Sequence, residues 1–510
     1  MAKEHLDKGL VQVYTGDGKG KTTAALGQSL RAIGRGLKVY MAQFVKGQET
    51  GELLSAARLA PHLVIRQFGL GKFIIGREPS QEELVLAHSG WVELREVVDN
   101  GQYDVVILGG GVAGGSLAHS LRRQHKTVAV VEDNLFGGTC PNRGCDPKKI
   151  LLSGLEITQV VNDMQGNGIS GSVSVNWPDL MRHKRQYTNP ISDATNNGLI
   201  SDGVDTYHEH AQFNSDGLLT AGNQSLSGDQ YVIATGQRPR ILDIPGSQFF
   251  KTSTDFLNLD DLPNDVTFVG GGYIGFELAG IARAAGATVH LIHHNNRPLK
   301  QFDQQLVHEE VDRLAKLGVD FHLNTGVQEI TQVGEQFVLS GDNFKLPTDM
   351  VFCTAGRIPN VDTIGIQNVG VKTDQHGVIV DDHLQTSNPQ IFAMGDVVST
   401  KRPKLTPVAG FEAGYLAGYF NGSTDPIQFK SIPTIVFGQP SLGQVGLPSS
   451  IATHDSRYML ITNDMTKWYS YHRLNEPLAK AKVVINRDTE TVVGATVLSN
   501  HADYLINILT

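Results

Sequence analysis

The sequence contains two copies of the pattern G-x-G-x-x-G, and each copy stands between an apolar run and a helical segment. Glycines at this spacing allow a tight turn from strand to helix and let a pyrophosphate approach the backbone at the helix N-terminus. The glycines of the two copies are Gly109, Gly111, Gly114, Gly270, Gly272 and Gly275. The repeat predicts an α/β chain with two Rossmann-like dinucleotide-binding domains, and hydride transfer between two dinucleotides is the natural use of such a pair.

The residue at the end of the strand after each motif predicts which ribose is bound. Glu132 ends the apolar run after the first motif and is placed to accept a hydrogen bond from a ribose 2′-OH. The corresponding run after the second motif ends without Asp or Glu, and it is followed by His294, Arg297 and Lys300. These three side chains are candidate partners of a 2′-phosphate and predict NADPH rather than NADH. The alternative is that they form a solvated, mildly basic loop.

Two cysteines, Cys140 and Cys145, stand close together in the segment GGTCPNRGCDPKK. On an ideal helix this spacing corresponds to a rise of ~7.5 Å, whereas a disulfide requires Cα atoms within ~7 Å. The helix must therefore be distorted at its start, and Pro141 and Gly144 suit that. A structural pair or two ligands of a metal site are the alternatives. Since only Cys353, expected in the core, remains and no His is nearby, we expect no metal.

Composition narrows the possible partners and compartment. The chain of 510 residues has three cysteines and a net charge of −9, which favours neither nucleic acid nor anionic lipid as a partner. No apolar run approaches the ~20 residues of a membrane span, and MAKEHLDKGL does not resemble a signal peptide. We therefore expect a cytoplasmic protein. In that reducing compartment, two neighbouring cysteines more often serve redox or metal chemistry than structure.

Beyond these motifs, the chain from Asp104 to Thr510 resembles the pyridine nucleotide-disulfide oxidoreductases, the family of glutathione reductase and lipoamide dehydrogenase. The supporting segments are ATGQRP at 234–239, TAGRIPN at 354–360, IFAMGD at 391–396 and LTPVA at 405–409. The resemblance implies an FAD-binding domain, an NAD(P)-binding domain and an α+β interface domain that makes a homodimer. Their expected ranges are 104–245 with 361–428, 246–360 and 429–510.

The resemblance also implies roles for individual residues. Asp396 would bind the ribityl chain of FAD, and Lys149 would be the lysine near flavin N5, with Glu277 as its ion-pair partner. Cys145 would lie against the flavin, and Cys140 would be the outer, attacking thiol. The remaining cofactor-binding candidates are Gly138, Thr139, Thr235, Gly236, Gly356 and Gly395.

The resemblance leaves the substrate open. The disulfide reductases of the family carry a His-Pro…Glu motif near the C-terminus, whose His is an acid–base catalyst for thiols of the partner subunit. The sequence reaches Thr510 before such a motif, so we expect a short interface domain. The identity of the disulfide or small-molecule substrate is not predicted.

The N-terminal segment 1–103 has a different pattern. An apolar run at 11–14 leads into TGDGKGKT and a helical stretch, the context that a phosphate-binding loop needs. The candidate residues for ATP and Mg²⁺ are Gly18, Gly20, Lys21 and Thr22. A glycine- and lysine-rich surface loop is the alternative. With AQFVKG in a second predicted strand at 38–47, the segment resembles ATP:corrinoid adenosyltransferases, which usually also have Thr in place of the first Gly.

The two resemblances meet at the apolar run 103–108. One strand cannot be central to two separate sheets, and the acidic pair that the adenosyltransferases place at this strand end is replaced by Gly109 and Gly110. We therefore predict that the P-loop α/β segment is incomplete. Three functions are weighed: an FAD- and NAD(P)H-dependent oxidoreductase of the disulfide reductase type, a cob(I)alamin adenosyltransferase with a flavin reductase attached, and a flavin-binding protein without catalysis.

Overall fold

The computed structural model describes residues 10–15, 20–48, 50–71, 74, 78–99 and 102–510. The chain divides into two compact units. One comprises residues 1–102 with the short stretch 225–228, and the other comprises the rest of the chain. The larger unit contains the two glycine motifs and the cysteine pair.

The smaller unit contains part of an α/β layer. Strands Val39–Phe44 and Leu63–Phe68 pair in parallel, with Val39 opposite Leu63. Its helices are Lys21–Ile33, Gly51–Ala57 and Gln81–Asp99. The strand predicted at 38–47 is confirmed.

The strand predicted at 11–14 is wrong. Residues 10–15 have no strand geometry, and the side chains of Val11 and Val13 are 64% and 81% exposed. The apolar run therefore does not join the two-stranded sheet of its unit, and its side chains stay exposed. The predicted central neighbour, Gln102–Leu108, belongs instead to the large sheet of the other unit.

The first dinucleotide-binding domain is built around that strand. Within the described residues the sheet runs in the order Asp205–Tyr207, Val128–Val131, Gln102–Leu108, Gln224–Ile233, Leu219–Ala221 and Ala211–Phe213, with Ile391–Ala393 also paired to Gln224–Ile233. Residues 105–108 are completely or almost completely buried, as expected for a strand covered on both faces. Helices Val112–Arg123 and Thr406–Phe420 pack against each other and fill one side of the core.

The second dinucleotide-binding domain has a four-stranded parallel sheet. Its order is Val319–His322, Thr288–Ile292, Asp265–Val269 and Met350–Cys353. A three-stranded antiparallel sheet, Glu329–Val333, Gln336–Gly341 and Phe344–Thr348, accompanies it. Cys353 is 2% exposed within an apolar cluster, which confirms its predicted place in the core.

The C-terminal part is an α+β domain. Its five strands are antiparallel in the order Thr434–Val436, Ser441–Gly446, Val492–Ser499, Lys480–Asn486 and Tyr458–Asp464. Helix Ala502–Ile508 covers this sheet through buried Ala502 and Ile506. The predicted fold class, two Rossmann-like domains and an α+β domain preceded by a partial α/β segment, is confirmed. Among the described residues, no helix combines the length and the apolar character needed to cross a membrane.

The other long helices surround the two dinucleotide-binding sheets. They are Cys145–Asp163, Trp177–Thr188, Ile191–Ser201, Tyr273–Ala284 and Gln304–Lys316. Helix Cys145–Asp163 packs against both Trp177–Thr188 and Tyr273–Ala284. The helix that begins at Cys145 therefore packs against the helix that follows the second glycine motif.

Candidate functional site

The first glycine turn has the geometry of a phosphate cradle. Gly109 has φ 114°, and a side chain there would overlap the carbonyl oxygen of Ala234, so only glycine fits. Helix Val112–Arg123 begins directly after the turn and directs its N-terminus at the cleft. At the neighbouring strand end, the Glu132 carboxylate accepts the Gly110 N–H at 2.7 Å. Burial raises the pKa of Glu132, and the Gly110 N–H opposes that rise.

The second turn repeats this arrangement with one chemical difference. Gly270 has φ 124°, and the Gly271 N–H donates to Nδ1 of His293 at 3.1 Å. His293 therefore occupies the place that Glu132 has in the first domain. Burial, followed by the neighbouring His294, lowers the pKa of His293. The lowered pKa favours the neutral ring, and because Nδ1 accepts a hydrogen bond, the proton of the neutral ring is on Nε2, which is then a donor.

His293 was not among the predicted site residues. The missing acid at this strand end and the basic residues that follow it were the basis of the expected NADPH preference. His294, Arg297 and Lys300 line the same cleft beside Gly271. The spacing from Gly110 to Glu132, applied to Gly271, would have identified His293.

The cysteine pair lies at a break between two helices. Helix Thr139–Arg143 ends at Gly144, and helix Cys145–Asp163 begins immediately after it. A Cβ on Gly144 would lie 2.8 Å from the carbonyl oxygen of Thr139, so the break depends on glycine. The predicted distortion is confirmed at this residue. Both thiols are free in the structure, and Cys145 stands at a helix N-terminus, which favours a thiolate.

The surroundings of the two thiols make them unequal. The pKa of Cys145 is lowered to about 6, chiefly by a hydrogen bond from the Cys140 thiol and further by Thr406, Lys148 and Lys149, although burial opposes the shift. The pKa of Cys140 is raised, first by the same hydrogen bond and then by burial. The Thr406 hydroxyl lies 3.7 Å from the Cys145 sulfur. These shifts favour a thiolate at Cys145 and a protonated thiol at Cys140.

The ion pair predicted between Lys149 and Glu277 is wrong, because Lys148 makes it. Lys148 Nζ donates to Glu277 Oε1 at 2.7 Å, and the two side chains are 10% and 5% exposed. Lys149 is exposed and lies with its Nζ 4.6 Å from the centre of the Phe437 ring. The Glu277 carboxylate also accepts the Phe437 N–H at 3.0 Å.

Helix periodicity explains this correction. Leu151, Leu152 and Leu155 form the buried face of helix Cys145–Asp163, and Lys148 lies on that face one turn earlier. Lys149 is one position further around the helix and points to solvent. The leucine spacing was visible in the sequence and would have selected Lys148.

A third group of predicted residues surrounds the first glycine turn. Gly395 has φ 75°, and its N–H donates to the Glu412 carboxylate at 2.6 Å. Asp396 is half-buried next to it, and loss of solvent raises the pKa of its carboxyl while Arg357 and Lys404 oppose the rise. Glu412, a buried acid that the sequence prediction did not include, has its pKa raised to about 6 by burial. It anchors the turn that carries Asp396.

The segments ATGQRP and TAGRIPN form the connections between the two domains. Gln237–Pro239 and Arg357–Pro359 pair as a short antiparallel ribbon. The Thr235 hydroxyl donates to the Asn360 carbonyl at 2.7 Å. Gly236 and Gly356 both have positive φ, 66° and 115°. These contacts place both crossovers at the mouth of the same cleft.

Most of these groups line one cavity of about 2340 Å³. Pockets for a single drug-sized ligand are typically about 300–1,000 Å³, so this one has room for more than one dinucleotide component. Its lining includes both glycine turns, Gly138, Thr139, the two cysteines, the Lys148–Glu277 pair and Asp396. The first glycine turn, the acid at the first strand end and the half-buried Asp396 fit FAD, and the second turn fits a nicotinamide dinucleotide. The fold and site thus define a flavin- and pyridine-nucleotide-dependent dithiol oxidoreductase.

Comparison with known families agrees with this class. Residues 103–413 match the family described as "Pyridine nucleotide-disulphide oxidoreductase", and residues 432–510 match its dimerisation domain. Residues 7–113 match "ATP:corrinoid adenosyltransferase BtuR/CobO/CobP". The two family matches overlap at 103–113, the run over which the two resemblances compete. The structure assigns that run to the first dinucleotide-binding domain.

Individual relatives give the same result. A glutathione reductase of Burkholderia cepacia is 32% identical over 414 residues, covering 79% of this chain and 91% of its own. A mercuric reductase of Staphylococcus aureus is 29% identical, with 81% and 77% covered. The solved HOCl-induced flavoprotein disulfide reductase RclA of Escherichia coli superposes with a TM-score of 0.72 at 25% identity, covering 80% of this chain and 92% of its own.

The chain therefore belongs to the pyridine nucleotide-disulphide oxidoreductase family. It is an FAD-dependent NAD(P)H oxidoreductase of the disulfide reductase type. Its N-terminal segment is an adenosyltransferase-like domain. Of the predicted residues of that segment, Gly18 lies outside the described residues, Gly20 has φ 102° before the first helix, and Lys21 and Thr22 begin that helix.

Proposed function

We propose that the protein uses NADPH to reduce a disulfide substrate through the Cys140–Cys145 pair, as a homodimer. The observation that carries the proposal is the cavity itself, where the two thiols lie between the two glycine turns. FAD, when bound, supplies two-electron transfer between a nicotinamide donor and a disulfide. The residues that would hold FAD are Gly109, Gly111, Gly114, Glu132, Gly138, Thr139, Thr235, Gly236, Gly356, Gly395 and Asp396.

The thiols of this chain then perform the exchange with the substrate. The Cys140 thiol passes its proton to the Cys145 thiolate, and the Cys140 thiolate so formed attacks one sulfur of the substrate disulfide. This forms a mixed disulfide and displaces the first substrate thiolate, which takes the proton from Cys145. The Cys145 thiolate next attacks the Cys140 sulfur, which releases the second substrate thiolate and forms the Cys140–Cys145 disulfide. The second substrate thiolate takes a proton from solvent, so the substrate leaves as two thiols. The helix N-terminus and Thr406 favour the thiolate form of Cys145.

The second site favours NADPH. A carboxylate at the strand end would accept a hydrogen bond from a free 2′-OH and repel a 2′-phosphate. Here that place is taken by His293, whose protonated Nε2 can only donate, and the cleft beside it is lined by His294, Arg297 and Lys300. Donors without an acceptor suit a phosphate better than a hydroxyl.

We expect a kcat/KM at least 10-fold higher with NADPH than with NADH, because charged hydrogen bonds to a phosphate contribute about 1.5–3 kcal/mol each. His293→Glu should restore the arrangement seen at Glu132 and shift the NADPH/NADH ratio at least 10-fold toward NADH. His308→Glu, an exposed histidine on helix Gln304–Lys316, is the matched control and should leave the ratio unchanged. Equal or better efficiency with NADH in the unaltered protein would contradict the proposal.

The homodimer is supported by the dimerisation-domain match and by the surface of that domain. Tyr469, Tyr504 and Ile508 are 81%, 69% and 78% exposed. Large apolar side chains that are this exposed are suited to burial by a second copy. Sedimentation equilibrium of the flavin-loaded protein tests this assignment.

A second function, adenosyl transfer from ATP to a reduced corrinoid, is favoured by the match at 7–113. Two observations oppose it. The strand that should end in the acidic pair for Mg²⁺ ends at Gly109 and Gly110 and opens the first dinucleotide turn. Residues 10–15, which lead to the phosphate loop, lie outside any sheet with their apolar side chains exposed. Phosphate chemistry on ATP needs the metal to be held by such an acid.

We therefore expect no adenosylcobalamin from the full chain with MgATP and reduced cobalamin. A chain starting at Gln102 should retain the flavin content and NADPH oxidation rate of the full chain within about 2-fold, because residues from 103 onward account for both oxidoreductase family matches. The full chain and the shortened chain are each assayed for adenosylation and for NADPH oxidation under the same conditions, so their rates can be compared directly. Robust adenosylation by the full chain that is lost on truncation would instead make the protein bifunctional.

A further inference from the structure

Two histidines and an aspartate meet on one face of the second parallel sheet, away from the large cavity. His290 lies in strand Thr288–Ile292, and Asp320 and His322 lie in the adjacent strand Val319–His322. The register places His290 opposite Asp320, and His322 is two residues further along the same strand. Because side chains alternate between faces, all three project from the same side. His290 stands 30 positions before Asp320 in the sequence, so no local motif indicated that the three residues would meet.

The three ligand atoms are spaced as the corners of a metal site. Asp320 Oδ2 lies 3.1 Å from His290 Nδ1 and 3.0 Å from His322 Nε2. The two ring nitrogens are 3.4 Å apart. A tetrahedral metal with bonds of about 2.0–2.1 Å has ligand–ligand edges of about 3.3–3.4 Å. The triangle therefore needs shifts of only a few tenths of an ångström to accept an ion.

A second carboxylate supports the same conclusion. Asp265 Oδ2 lies 3.5 Å from His290 Nε2, the nitrogen that points away from the triangle. Its other oxygen, Oδ1, is buried and has no hydrogen-bond partner. A histidine that binds metal through one nitrogen commonly donates the other N–H to a carboxylate. Asp265 is placed to receive that bond from His290.

We propose that His290, Asp320 and His322 bind a divalent transition metal such as Zn²⁺, with Asp265 orienting His290. Imidazole and carboxylate ligands suit Zn²⁺, Co²⁺, Ni²⁺ and Cu²⁺ rather than Mg²⁺ or Ca²⁺. Asp320 is 57% exposed, so the fourth position opens to solvent and would carry water. The expectation of no metal rested on the cysteines alone as candidate ligands.

The site would join two neighbouring strands of the sheet that carries the second glycine turn. His293 directly follows strand Thr288–Ile292, which carries His290. Its N–H donates to the His322 carbonyl at 2.9 Å, so His293 is also bonded to the strand that carries the other two ligands. None of the three ligands lines the large cavity, so the bound ion would not contact the cofactors. The role assigned to the metal is therefore structural.

The test is metal titration of the flavin-loaded protein carrying Cys140→Ser and Cys145→Ser, which removes the competing thiols. Zn²⁺ should bind with one equivalent by calorimetry, and Co²⁺ should give the intense visible absorption of a four-coordinate site. His290→Ala and His322→Ala should each weaken binding at least 100-fold. Asp265→Asn should weaken it about 10–100-fold, as expected for an outer-shell partner. His308→Ala is the matched control and should bind as the parent does.

Two results would overturn the site. One is the absence of saturable Zn²⁺ or Co²⁺ binding by the parent. The other is one-equivalent binding that survives both histidine changes. Flavin content and the metal-free melting temperature report whether each variant is folded. If His322→Ala loses flavin, His322→Gln, which keeps a polar side chain of similar reach, decides the question instead.

Discussion

Replacing Cys145 by serine is expected to reduce NADPH-dependent disulfide reduction at least about 10³-fold, to the background of the assay. The hydroxyl that replaces the thiol neither forms a disulfide nor resolves a mixed disulfide. Cys140→Ser should cause a loss of the same size, since the two sulfurs act as one unit and such losses are not additive. Cys353→Ser is the control, because Cys353 is buried among apolar side chains outside the cavity lining.

The two single variants should differ in their spectra. After two-electron reduction, the unaltered protein should show a long-wavelength absorption band from the Cys145 thiolate beside the flavin. Cys145→Ser should lack the band, and Cys140→Ser should keep it. Because the pKa of Cys145 is lowered to about 6, the band should persist above pH 6 and fade as the thiolate is protonated below it. Thr406→Val removes a hydrogen bond to the thiolate and should move that midpoint to higher pH.

An unchanged spectrum in both variants throughout a reductive titration would contradict the pairing of these thiols with the flavin. Loss of activity in the Cys353 variant as well would show that the assay reports folding rather than chemistry. Flavin content of each variant separates these two outcomes. The spectroscopic and kinetic measurements therefore test the same assignment by independent means.

The local motifs could be predicted because their physics is local. A glycine such as Gly109 is required by its own φ and by the close approach of one backbone segment, so the pattern in the sequence determines the turn. The distortion between Cys140 and Cys145 likewise follows from the reach of a disulfide and the rise of a helix. In both cases a few neighbouring residues contain all the information.

The predictions were wrong or incomplete where a contact depends on packing between segments that are distant in the sequence. Lys148 rather than Lys149 pairs with Glu277 because helix Cys145–Asp163 turns its leucine face to a helix far away in the sequence. Thr406 reaches the Cys145 sulfur from a helix that begins 261 positions later in the sequence. The sequence indicated that strand Gln102–Leu108 could belong to either of two sheets. Whether residues 10–15 form a strand depends on which sheet contains it, and the sequence did not decide that.

Replacing Lys148 by methionine is expected to have the largest effect on stability. Methionine keeps much of the side-chain volume but leaves the Glu277 carboxylate, 5% exposed, without its cation. Breaking a buried ion pair by removing one partner costs about 3–5 kcal/mol. The Phe437 N–H still donates to Glu277 but compensates only part of this loss. Lys149→Met is the matched control and should change stability by no more than about 0.5 kcal/mol, since that side chain is exposed.

The measurement is the urea midpoint of each variant at one fixed FAD concentration, because bound cofactor adds to apparent stability. The double variant Lys148→Met/Glu277→Gln removes the charge that the single change leaves buried, so it should recover most of the loss. That recovery is the coupling expected of two groups in contact. If Lys149→Met is the more damaging single change, or if the double variant is no better than Lys148→Met, the buried pair is not the stabilising contact. If the expected order is found, the loss in Lys148→Met comes from an uncompensated carboxylate in the wall of the cavity.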